Sequence, residues 1–146
     1  METDSPLMAA ILDTIIPPSE DGAMPGAGRL DLGETIREAA GDVWPILAEG
    51  MRALDERARD TGGTGFAELD LDERSELLGR SAESHPALLP SLVFHTYTAY
   101  YRNPVVVEAL GLEARPPYPL GYTLEAGNPD LLEPVRRREP FYRKAE

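Results

Sequence analysis

The side chains best equipped for chemistry are few. The two histidines, His85 and His95, stand ten positions apart. A helical zinc site needs imidazoles one turn apart, and a di-iron carboxylate centre needs Glu-x-x-His on each of two helices. The residue three before His95 is Leu92, so neither pattern forms. His95 reads as a helix-face histidine, hydrogen-bonded or solvated. Ser91 and Thr96 lie near it in sequence, but no Gly-x-Ser-x-Gly elbow holds a hydroxyl exposed for nucleophilic attack. Gly62-Gly63-Thr64-Gly65 lacks the preceding strand and following Gly-Lys-Ser/Thr of a phosphate cradle, and reads as a helix stop with a turn. With no cysteine there are no disulfides, thiolate metal sites or cysteine nucleophiles. We therefore assign no catalytic, cofactor-binding or metal-ligating residue from the sequence.

The elements that would position a site are helical. Ser5-Pro6 supplies a hydroxyl cap and a proline at the first helical position. Leu7, Ile11, Thr14 and Ile15 then share a face until Pro17-Pro18 stops the helix. Residues 19–33 are glycine-rich without an apolar period and read as a loop, ordered or mobile. From Glu34 to Asp60, Ile36, Ala40, Val43, Leu47, Met51, Leu54 and Ala58 recur every three or four residues. Pro45 inside this run predicts a break near residue 42, with Asp42 capping the second part. Phe66 and Leu69 form an apolar anchor, and Asp70 with Glu73 forms a capping box for a helix reaching about Ala82. A further helix after Ser84-His85-Pro86, disturbed at Pro90, runs to about Arg102. Asn103-Pro104 opens a last one through Leu110, with Gly111 as its left-handed stop. Residues 131–138 can add a turn or two around Pro134. The expected fold is all-α, a small irregular bundle of about five or six helices over residues 1–112, followed by a long proline- and aromatic-rich C-terminal extension, residues 113–146.

That extension concentrates interface-type residues. Eight of the ten aromatic residues and seven of the fourteen prolines fall between Phe94 and Tyr142. Proline removes backbone donors, so the rings threaded through this segment need some other surface to bury them. Phe94 and Tyr97 are expected to pack the chain's own core. Tyr100 and Tyr101 point about 100° apart, so at least one reaches the bundle edge. The candidate partner-binding anchors are Trp44, Tyr100, Tyr101, Tyr118, Tyr122, Phe141 and Tyr142. Arg136 and Arg137 of the Arg136-Arg137-Arg138 run could pair with a partner's carboxylates. A tail of this length laid across a partner can bury more than the roughly 800 Å² per side of a standard interface.

Composition narrows the partners. The chain has 146 residues and a net charge of -12, which repels phosphate backbones and anionic lipid, so nucleic acid is not an expected partner. No window approaches the roughly 20 apolar residues of a membrane span. An acidic start replaces the basic region of a secretion signal and no twin arginine is present, which gives a cytoplasmic expectation, with periplasmic location by co-export as the alternative.

Ile15-Ile16-Pro17-Pro18, Pro25-Gly26, Leu77-Leu78, Tyr100-Tyr101, Pro104, Leu110-Gly111 and Pro119-Leu120-Gly121-Tyr122 together resemble the gluconate 2-dehydrogenase subunit 3 family. The resemblance implies a small helical subunit without a cofactor of its own. Its partner would be a large FAD-dependent oxidoreductase subunit of the glucose-methanol-choline type that oxidises a sugar or polyol, in some complexes with a haem electron-transfer subunit. Many such subunits carry a twin-arginine signal, from which this sequence departs. The function expected is therefore that of a non-catalytic subunit that binds and stabilises the flavoprotein. The alternatives are a free-standing helical small-ligand-binding protein and an autonomous enzyme using His95.

Overall fold

A computed structural model describes residues 6–62, 64–115, 118–119, 121 and 125–139 of the chain. Among these residues the structure is helical, without a strand. Contacts divide the chain into Met1–Arg115 and Pro116–Glu146. The first unit holds α1 (Pro6–Ile15), α2 (Gly33–Ala40), α3 (Trp44–Gly62), α4 (Leu71–Arg80), α5 (Leu88–Tyr100) and α6 (Pro104–Ala109). The second holds a 3-10 turn, Pro129–Leu132, that runs into α7 (Glu133–Arg136).

α1 is the centre of the bundle. It packs against α3, α4, α5 and the 3-10 turns Ala27–Arg29 and Phe66–Glu68. An element touched on so many sides must be apolar over most of its circumference, and Met8, Ala10, Ile11 and Leu12 are all buried. Each fully buried Ile or Leu contributes about 1.5–3 kcal/mol of transfer free energy. The expected cap at Ser5 lies outside the described residues.

The segment after Pro17-Pro18 is ordered. Ala27 N donates to Ile16 O at 3.0 Å, and Gly28 N donates to Asp13 Oδ1 at 2.7 Å. A Cβ on Gly28 would lie 2.2 Å from Ala9 O, so the chain passes α1 at a distance that only glycine allows. Order here comes from hydrogen bonds to Asp13, Ser19 and Asp21 and from close backbone approach, which apolar periodicity does not reveal.

The predicted break is present. α2 ends at Gly41 with φ +50°, a 3-10 turn covers Gly41–Val43, and α3 starts at Trp44 with Pro45 in its first turn. Asp42 lies within that 3-10 turn. The turn shifts the helical phase, so Val43 is exposed while Ile36, Ala40, Leu47, Met51, Leu54 and Ala58 are buried. α3 crosses α5 closely, since a Cβ on Gly50 would stand 2.8 Å from Leu88 Cδ1. The Asp70 and Glu73 capping box forms as expected, with Glu73 N donating to Asp70 Oδ1 at 2.9 Å and Asp70 N to Glu73 Oε2 at 3.0 Å. Pro90 lies in the first turn of α5, where it costs no helical hydrogen bond. Asn103 caps α6, accepting from Val105 N at 3.0 Å, and Gly111 follows at φ +73°. Among the described residues no helix is long and apolar enough to cross a membrane.

Candidate partner-binding surface

The face that stands out is on α5. No charged residue lies between Glu83 and Arg102, in a chain of which 27% is charged, so solvation cannot explain the composition of this helix. Leu88, Leu92, Thr96, Ala99 and Tyr100 turn inward and are buried. On the opposite side Pro90, Phe94, Tyr97 and Tyr101 follow one another at steps of four, three and four, which places them on a single stripe. Phe94 is 66% exposed, Tyr97 44% and Tyr101 50%.

The stripe is pre-arranged. Tyr97 and Tyr101 meet at a 45° tilt with ring centroids 6.0 Å apart, and Tyr101 meets Tyr100 edge to face at 5.2 Å. Phe94 meets the half-buried His95 edge to face at 5.2 Å. Rings that hold each other in place lose little further freedom when a partner covers them. Below Tyr97 opens a groove of about 230 Å³ lined by Thr14, Ile15, Leu78, Gly79, Val93 and Tyr97, so the stripe continues into a concave apolar surface. Gly79 is exposed and a Cβ there would meet nothing, which leaves the α4 backbone open to close approach.

Two expectations need correction. Phe94 and Tyr97 are exposed where core packing was expected, because small Ala99 and Thr96 let the opposite face of α5 seat against the bundle. Tyr100, expected to contact a partner, is 1% exposed and completes the core of its own chain, its hydroxyl donating to Pro25 O at 2.7 Å. Burial, and secondarily the neighbouring Tyr101, pushes its phenol above the ordinary value.

The other anchors differ in exposure. Trp44 is half-buried and packs against the core. Tyr118 is strongly exposed. Arg136 and Arg137 are exposed and lie near Glu133 on their own helix, at 3.1 and 3.9 Å. Tyr122, Phe141 and Tyr142 fall outside the described residues. Of the described ones, Trp44, Tyr100 and Tyr101 belong to the first unit and Tyr118, Arg136 and Arg137 to the second. Sequence reading missed the outward face of Phe94 and Tyr97, although the charge-free run and the small residues at Thr96 and Ala99 were signals for it.

Just after the glycine-rich stretch the backbone is engaged by a carboxylate of the chain itself. Phe66 N donates to Asp55 Oδ1 at 2.9 Å, and Arg59 holds the other oxygen at 3.0 Å, so the amide an anion would use is taken. His85 Nδ1 lies 3.1 Å from Ser84 Oγ. Among the described residues no group of three or more His, Asp or Glu is placed to hold a metal.

The family model described as gluconate 2-dehydrogenase subunit 3 matches residues 2–114. The chain belongs to this family. The match covers α1 to α6 and with them the whole aromatic stripe. No match was found among curated proteins or among solved structures. The gluconate 2-dehydrogenase subunit 3 family is by its name that of one subunit in a dehydrogenase assembly, which implies a partner polypeptide.

Proposed function

We propose that this subunit 3 protein is a non-catalytic small subunit that binds and stabilises a large FAD-containing catalytic subunit of the glucose-methanol-choline type, acting on a sugar or glycoside. The observation that carries the reading is the uncharged α5 stripe of Phe94, Tyr97 and Tyr101. Depletion of charge with enrichment of aromatic rings is the compositional mark of an interface core, and a monomer has no use for three uncovered rings beside an apolar groove. Membership of a family named as a dehydrogenase subunit supports a dehydrogenase as the partner. In this reading FAD is held by the partner, and a haem subunit receives the electrons where the complex has one.

Co-expression tests the proposal. A tagged form of this chain is expected to carry down a yellow flavoprotein in fixed stoichiometry, with sugar-dependent dye reduction in the eluate. His95→Ala should leave that turnover within twofold of wild type, since His95 meets the ring of Phe94 edge to face and is not assigned a catalytic role. Activity of this chain purified alone, lost on His95→Ala, would make it an enzyme in its own right and overturn the reading.

A further inference from the structure

The C-terminal unit contains a locally specified helical element. Asn128 Oδ1 accepts from Asp130 N at 3.0 Å, and Pro129 opens the 3-10 turn. The turn passes directly into α7, and Arg137 N to Glu133 O and Arg138 N to Val135 O close its end. Glu133 receives Arg136 Nη1 at 3.1 Å. Cap, proline, ladder and ion pair agree on a single local conformation without help from a core.

This element carries an exposed apolar arc. Leu131, Leu132 and Val135 fall within about 100° of one another at helical spacing, and they are 74, 51 and 54% exposed. Arg136, Arg137 and Arg138 follow at once, the only run of three basic residues in a chain of net charge -12. A 3-10 turn running into a single α-helical turn, with anchors at i, i+1 and i+4, presents them as a short amphipathic helix does when it lies in a groove.

We propose that residues 128–138 are a second docking element, separate from the α5 stripe, that seats Leu131, Leu132 and Val135 in an apolar groove of the catalytic subunit while carboxylates on the groove's rim receive Arg136 and Arg138. Charge complementarity commits the occupant. The acidic bulk of this chain is repelled by any acidic patch, so a local basic tripeptide is drawn to a partner's carboxylates only where register is correct, which gives specificity as well as attraction. The inference rests on the reading that a catalytic partner exists.

The test uses the full-length chain and the co-expressed catalytic subunit, purified separately and mixed. Leu131→Ser with Val135→Ser is expected to weaken binding by about tenfold to a hundredfold, the loss typical when two interface anchors are removed. Arg136→Glu with Arg138→Glu is expected to weaken binding most at low salt, with the difference shrinking as ionic strength rises. If wild type fails to bind the catalytic subunit, the parent reading fails. If wild type binds and the Leu131/Val135 double variant binds equally well, this inference fails and the parent reading stands. An unchanged affinity in the arginine variant overturns the acidic rim. If wild type self-associates and the Leu131/Val135 variant does not, the groove belongs to a second copy and the proposal is overturned.

Discussion

Tyr100 joins the loop before α2 to the far end of the bundle through one hydrogen bond, from its hydroxyl to Pro25 O. Tyr100→Phe should cost about 1 kcal/mol, with the carbonyl left to find water or go unpaired. The pH sign follows from the phenol's raised value. The folded chain holds that proton more tightly than the unfolded one, so the stability it contributes is full below about pH 10 and is lost as pH rises through the folded value. Thermal midpoints measured from pH 8 upward should therefore fall more steeply in wild type than in Tyr100→Phe. Thr96 behaves in the opposite way. It is fully buried and its hydroxyl has no hydrogen-bond partner among the described residues, so Thr96→Val should raise the midpoint, by up to about 1 kcal/mol in stability. Neither role was legible in the sequence. Tyr100 and Tyr101 are chemically alike, and only the seating of α5 decides which one is inside.

Helical elements were legible wherever a cap, a stop and a period agreed. The Asp70 and Glu73 box, the Asn103-Pro104 start and the Gly111 stop are local chemistry, and each forms where its residues stand. Asp70→Ala should lower stability by about 1 kcal/mol in denaturant unfolding, with the loss centred on α4. The outward face of α5 was not legible, because a helix that is apolar nearly all round gives no contrast between its sides. Nor was the order of the segment after Pro18, which rests on Asp13, Ser19 and Asp21 and on glycine's lack of a side chain. Gly28→Ala forces a methyl group against the α1 backbone and should cost roughly 3 kcal/mol, far more than the same change at the open Gly79. Comparing the two glycine variants by thermal melting separates close packing from helix propensity, since Gly79→Ala removes a helix-interior glycine and should stabilise by about 0.5–1 kcal/mol.

At the scale of the molecule, an acidic chain carries one uncharged aromatic face on a well-packed bundle, and the family to which it belongs is that of a dehydrogenase subunit. The fold class and the need for a partner follow from the sequence. The outward rings of α5 do not, because no local pattern says which side of an uncharged helix seats against the bundle. The most direct test is the affinity between this chain and its catalytic subunit for wild type and for a Phe94→Ser, Tyr97→Ser, Tyr101→Ser variant, with the thermal midpoint of each chain as a folding control. The predicted result is a loss of at least about a hundredfold in affinity with the midpoint nearly unchanged, since three exposed rings contribute to docking and little to the core. Equal affinities for the two folded chains would contradict the assignment of the α5 face as the docking surface.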